Sequence, residues 1–351
     1  CAPPSAAVPD VFTQLDLRAG LPVGAGSIFS SSAIAPLACA GDDVIIFFGM
    51  ASGNISKSID NGATFSQMQQ DLGTSVSTFI TNINTSTSGE TVIASTASRL
   101  AVSNDGGNVF TDITSRYLSY FISEYEITTV SADPVCQNIF LTLEGSAAND
   151  EQGLGLLSKD YGFTFEELES GFSASIDVAV ATLISNDGNG LFVLGVEGRA
   201  AYSNDGGYSF TQTTQRQNSG ATSSSAPKGL AVSDDFEIMI AYYENGYAAK
   251  SINGGVSWSA LQRGLGNSNS AATINGLAIS GDGLVIVAVF DSGVHTTSID
   301  GGSSWYQSTS ILPSSGSPEN LTSIVTNNAR WYITTNQGKL FIGEEDLIAG
   351  P

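Results

Sequence analysis

Four acidic residues sit in similar sequence surroundings and are the residues best placed to do chemistry. Glu144 lies in LEGS, Glu197 in VEGR, Glu244 in YENG and Asp291 in FDSG, each after a short apolar run and one or two positions before a glycine. Carboxylates gathered in an arc can hold a cation such as calcium, a basic peptide or a sugar. A pair held roughly 5 to 9.5 Å apart can also act as acid and base in glycoside hydrolysis. An acid followed closely by glycine is equally what a plain tight turn needs. Both readings are open at this point.

Other reactive groups are few. His295, in GVHTTS, is the one histidine of the chain, and a Ser-His-Asp triad or a histidine-ligated zinc site would have to be built on it. Its surroundings read as a strand, so a place on a strand face is expected for it, and no metal site or cofactor beyond a carboxylate-held cation. The connection SRYLSYFISEYE brings Tyr117, Tyr120, Phe121 and Tyr125 close together. Exposed aromatics can stack on sugars or anchor a partner protein; the alternative is a short helical turn packed on the rim of the fold.

Charge excludes several function classes. The chain carries 34 acidic against 12 basic residues, a net charge of -22, spread along its length. Nucleic acid and anionic lipid headgroups both require a basic footprint, and none is found. No stretch reaches the roughly 18 apolar residues of a spanning helix.

The elements that must position these residues come from a repeat. SIDNGATF, SNDGGNVF, SKDYGFTF, SNDGGYSF, SINGGVSW and SIDGGSSW share the pattern S-x-D-x-G-x-x-F/W, with third positions Asp60, Asp105, Asp160, Asp205, Asn253 and Asp300 at intervals of 45, 55, 45, 48 and 47 residues. In a hairpin turn the short acid or amide accepts loop N–H groups, the glycine takes positive φ, and the closing aromatic anchors the outgoing strand. Three short strands precede each box and one follows, which is the size of a four-stranded propeller blade. After the sixth box come three further strands, NLTSIVT, RWYITT and GKLFIGEE, without a fourth. VFTQLDL, from Val11 to Leu17, supplies it. The fold class is thus all-β, a seven-bladed β-propeller closed by an N-terminal strand in the last blade, with residues 11–351 as one domain. A six-bladed ring with loose ends is the alternative.

Cys1 opens CAPPSAAVPD, which resembles the mature N-terminus of a bacterial lipoprotein, with a lipid on Cys1 and residues 1–10 as a flexible tether; otherwise position 1 is an arbitrary start. Membrane contact is expected only through that lipid. Cys39 in LACAGDD and Cys136 in DPVCQNI then form an even pair, suited to a disulfide in an oxidising compartment or present as two buried thiols.

The boxes are similar to those of the Asp-box, or BNR-repeat, propellers, and the similarity runs from about residue 11 to the end. It implies a propeller in which Asp60, Asp105, Asp160, Asp205, Asn253 and Asp300 are structural and lie on the rim away from any active site. That superfamily includes sialidases, xyloglucan-type endoglucanases, sortilin-like receptors and photosystem II assembly factors. Sialidases carry an Arg triad and an early Arg-Ile-Pro; this chain has no such tripeptide and its arginines are scattered. The xyloglucanase type places its catalytic Asp pair between two tandem propellers, where this chain has one. The photosystem II assembly factors resemble it in size and blade number but present an Arg patch, unlike a chain of net charge -22.

The expectation is a non-catalytic extracytoplasmic propeller at the outer membrane, on the cell surface or secreted, contacting protein or glycan through its loops. The competing expectations are a glycoside hydrolase or lyase using the acidic arc, and a structural subunit of a surface assembly.

Overall fold

The computed structural model describes residues 12–16, 29–36, 44–50, 53–60, 62–68, 72, 80–116, 125–145, 153–168, 178–196, 198–214, 226–270, 272–307, 321–326, 330–335 and 339–344. They form seven four-stranded antiparallel sheets, and the chain is a seven-bladed β-propeller. Along the chain, blade 1 covers residues 29–67, blade 2 82–112, blade 3 125–167, blade 4 179–214, blade 5 227–260 and blade 6 274–307. Blades 1–4 lie in one compact unit, residues 17–214, and blades 5–7 in another, residues 1–16 with 215–351.

Blade 7 is composite. Leu321–Thr326, Arg330–Thr335 and Lys339–Glu344 are its first three strands, and Phe12–Asp16 is the fourth. The N-terminal strand pairs antiparallel, from Phe12 opposite Gly343 to Asp16 opposite Lys339. The expected closure is the observed one, and the six-bladed alternative is set aside. Pairing covers an edge that would otherwise present unbonded N–H and C=O groups.

The second and third strands are buried on both faces, which is why they read as unbroken apolar runs rather than alternating ones. Alternation reappears as a choice of neighbour. In blade 6, Ile286, Ala288 and Phe290 pack with Ile240 and Ala248 of blade 5, whereas Val287 and Val289 pack with Trp331, Ile333 and Phe341 of blade 7. In blade 3, Ile139, Leu141 and Leu143 join Ile93 and Leu100 of blade 2, while Phe140 joins Leu191 and Val193 of blade 4. Successive side chains on a strand point to opposite faces, so one strand serves two interfaces. Each large side chain fully buried this way contributes about 1.5–3 kcal/mol.

A further seat between blades lies just beyond the fourth strand. Met68, Ile113, Leu168 and Leu261 each donate their backbone N–H to a third-strand carbonyl of their own blade, at 2.9 Å. Their side chains reach the box glycine of the next blade. A Cβ on that glycine would stand 3.5 Å from Met68 at Gly107, 2.8 Å from Ile113 at Gly162, 2.9 Å from Leu168 at Gly207 and 3.3 Å from Leu261 at Gly302. Glycine therefore has two reasons to be there: a φ of +88° at Gly207 and a neighbour where a side chain would begin.

Gly207→Ala is expected to cost about 2 kcal/mol or more in equilibrium denaturation, from left-handed backbone and overpacking together. In the double variant with Leu168→Ala the loss should be smaller than the sum of the two single losses, because the truncated leucine vacates the space. Additive losses would place the strain elsewhere.

Candidate functional site

The boxes are hydrogen-bonded hairpins built around a serine hydroxyl. In blade 4, Ser203 Oγ donates to Asp205 Oδ1 at 2.7 Å and accepts the Gly207 N–H at 3.0 Å and the Asp205 N–H at 3.3 Å. Asp205 Oδ1 also accepts the Ser209 N–H at 3.0 Å, and Oδ2 accepts the Ser209 hydroxyl at 2.5 Å. The hydroxyl contact between serine and the acid or amide recurs at Asp60, Asp105, Asp160, Asn253 and Asp300, at 2.7–2.9 Å. Asn253 keeps Oδ1 as acceptor and turns its Nδ2 toward Ser257 Oγ, reversing only the outer bond. Hydrogen bonds from Ser203 and Ser209 lower Asp205 from 3.8 to about 2. At all six positions the acid or amide is bonded to the serine of its own turn.

A second hairpin series, between first and second strands, escaped the sequence reading. Ser185 Oγ donates to Asp187 Oδ1 at 2.6 Å and accepts the Gly190 N–H at 2.7 Å. Ser233 with Asp235 and Ser280 with Asp282 repeat this in blades 5 and 6, accepting the Ile238 and Val285 N–H groups. The signal was present as S-N-D-G, S-D-D-F and S-G-D-G, but it is shorter than the boxes and lacks their aromatic. Both series lie at the same end of their blades: Gly206 N–H donates to Asn189 O, Gly254 N–H to Glu237 O and Gly301 N–H to Leu284 O.

Cys136 occupies the left-handed position of this second turn in blade 3, at φ +58°, where blades 2, 4 and 6 have Gly89, Gly188 and Gly283. It is a buried free thiol, pushed up to about 12 by burial and by the neighbouring Asp133. Cys39, the other half of the expected pair, lies outside the described residues, as do Cys1, Glu197, Tyr117, Tyr120 and Phe121. Tyr125 is not a loop residue: it begins the first strand of blade 3 and packs, partly buried, against the core shared with blade 2. Ahead of the aromatic connection the chain makes a short 3-10 turn, Thr114–Arg116.

Several of the rare cations link neighbouring blades. Lys57 Nζ of blade 1 donates to Gly106 O in the box of blade 2, and Lys250 Nζ of blade 5 to Gly301 O in the box of blade 6, both at 2.7 Å. Lys159 of blade 3 stands 4.8 Å from the Tyr208 ring of blade 4, and Arg116 stands 5.0 Å from the Phe163 ring of blade 3.

The opposite end of the blades holds the acidic candidates. Glu244 opens a 3-10 turn, Glu244–Gly246, and its N–H donates to Ala226 O. Asp291 in blade 6 has the equivalent bond to Thr273 O, so the two exposed carboxylates occupy matching positions in adjacent blades. In blade 4 the same bond, to Val178 O, is made by Val196. Glu144 is a strand residue rather than a turn residue, and it lies directly opposite Glu126, both exposed. Among the described residues no three acidic, His or Cys side chains gather as a metal set. Arg263 stacks 4.6 Å from the Tyr247 ring and Lys228 Nζ donates to Asn275 Oδ1, so this end is mixed in charge in blade 5. His295 is buried in the third strand of blade 6, opposite Val289, as a strand-face residue.

In architecture the chain is similar to the solved structure of YCF48 from Cyanidioschyzon merolae, with a TM-score of 0.67 and 14% identity over 96% of this chain and 99% of that one. It is likewise similar to YCF48 bound to D1 peptide, with a TM-score of 0.69 and 14% identity over 99% of this chain and 100% of that one. At this identity the likeness shows the fold alone. No family model matches the chain, and no characterised protein matches it in sequence.

Asp205 and Asp187, each lowered from 3.8 to about 2 by serine-led hydrogen bonding, contribute stability that is complete above the unfolded value and lost as pH falls through the folded one. Stability should therefore decline between pH 3.8 and about 2. Asp205→Asn, which copies the bonding of Asn253, should flatten that decline in acid titration of the denaturation midpoint. An unchanged slope would remove Asp205 from the linkage. Like charges directly opposite on paired strands repel, so Glu126→Lys should raise stability by about 0.5 kcal/mol, read by urea denaturation.

Proposed function

We propose that this chain is a non-catalytic binding propeller of the Asp-box type that holds a segment of a protein partner. The observation that carries this reading is how its polar groups are engaged. The serine hydroxyls and carboxylates of both hairpin series bond within the turns themselves, and Lys57 and Lys250 bond the next blade. A frame so fixed loses little conformational freedom when it binds, which favours recognition by preorganised surfaces. One of the similar structures is YCF48 bound to D1 peptide, and analogy of fold extends peptide holding to this seven-bladed frame.

Chemical crosslinking of the native protein followed by mass spectrometry is expected to yield a stoichiometric protein partner. A panel of polysaccharides is expected to show no turnover. Turnover abolished by Glu244→Gln or Asp291→Asn would overturn the reading in favour of a glycoside hydrolase using that carboxylate pair.

A further inference from the structure

Exposed large apolar side chains collect at the hairpin end of the blades, where Ile59, Val109, Val135, Phe163 and Tyr208 stand in blades 1–4. In blades 5 and 6 the exposed large hydrophobics are Ile252 at 68%, Val256 at 44%, Leu284 at 48%, Ile299 at 39% and Tyr306. All but Tyr306, which lies on the outer strand, belong to the four hairpins at one end of these two blades. The turns do not demand them. The position of Ile252 and Ile299 is held by Ile59 in the first box but by Asn104 and Asn204 in others, that of Val256 by Phe163 and Tyr208 but also by Asn108 and Ser303, and that of Leu284 by Asn189 and Glu237 in the other hairpin series. Polar residues make the same turns with the same backbone bonds, so folding does not account for the apolar ones.

The same four hairpins carry Asp234, Asp235, Glu237, Asp282 and Asp300, all exposed. Their one cation among the described residues is Lys250, and it is bonded to Gly301 O. The hairpins are also tied to each other. Gly254 N–H meets Glu237 O at 3.0 Å, Gly301 N–H meets Leu284 O at 2.9 Å and Asp234 N–H meets Gly281 O at 3.0 Å. They form one fixed surface, apolar and negative together.

We propose that this hairpin end of blades 5 and 6 docks a partner polypeptide segment in which Lys or Arg alternates with large apolar side chains. Charge complementarity selects the occupant. Anionic lipid and nucleic acid are repelled, and so is a second copy of this chain, which brings net charge -22 against the same sign. Apolar side chains supply the contact area, and the carboxylates orient a basic segment and exclude acidic ones. The proposal rests on the protein-binding reading above and assigns its surface, at the end opposite Glu244 and Asp291.

The test uses the full chain and two synthetic peptides of equal charge and length, one alternating Lys with Leu and the other Lys with Ser. The Lys-Leu peptide should bind about tenfold tighter by fluorescence anisotropy. Ile252→Asn with Leu284→Asn, which copy residues already found at those turn positions, should abolish the difference while the thermal midpoint stays unchanged. Val196→Asn, at the opposite end of blade 4, should preserve it. Equal binding of the two peptides, or discrimination that survives the double variant, overturns the proposal. A photo-crosslinking residue at Ile252 and another at Ser292 separate this failure from that of the broader reading. Capture of a native partner through a Lys- or Arg-rich segment at Ile252 supports the surface. Capture only at Ser292 overturns the surface and leaves protein binding standing, and capture at neither overturns both.

Discussion

A single buried serine hydroxyl at each box is the contact on which the rest of this propeller depends. A hydroxyl has one donor and two acceptor sites, and at Ser203 all three are used, by Asp205 Oδ1, the Gly207 N–H and the Asp205 N–H. Because that serine is buried, removing its oxygen would leave the Gly207 N–H without a partner, a penalty of about 1–3 kcal/mol. The shape it fixes is also the shape that neighbouring blades meet. Leu168 of blade 3 reaches Gly207 of blade 4, and Lys57 of blade 1 reaches the carbonyl of Gly106 in blade 2. A local hydrogen-bond pattern thereby becomes a blade-to-blade interface.

This arrangement changes how the composition is to be understood. An excess of carboxylates invites a search for a catalytic pair or a cation site, yet many of the acids are turn acceptors, and two of the few lysines are donors to backbone oxygens in the next blade. What distinguishes one surface from another is therefore the side chains that the turns do not use. At the hairpin end of blades 5 and 6 these are apolar among acids, whereas the far end of the same blades carries Glu244, Asp291, Lys228 and Arg263. A preorganised surface with that asymmetry suits recognition more than chemistry.

The sequence by itself determined the blade count, the box geometry and the closing strand. The first two are short-range properties. The Ser203 to Ser209 bonds lie within one turn, and the strand periodicity around it needs no distant partner to be read. The matching of Phe12–Asp16 to Lys339–Glu344 was legible because one blade lacked a strand and one strand lacked a blade. Less was legible of the candidate site. Glu144, Glu244 and Asp291 look alike in sequence, yet only Glu244 and Asp291 occupy equivalent positions, because Glu144 stays in its strand opposite Glu126. Tyr125 reads as a loop aromatic until the strand it opens is seen packing on blade 2.

Tertiary structure alone decided which blade each apolar residue serves, which glycines sit beneath a neighbour's side chain, and which lysines bind across an interface. Lys57 and Gly106 are 49 residues apart, and Lys250 and Gly301 are 51 apart. Contacts at that separation arise only when one blade is laid against the next, and no periodicity within a single blade encodes them. Exposure followed the same rule: Ile252 and Leu284 are left outside although Ser251 and Val285 beside them are buried.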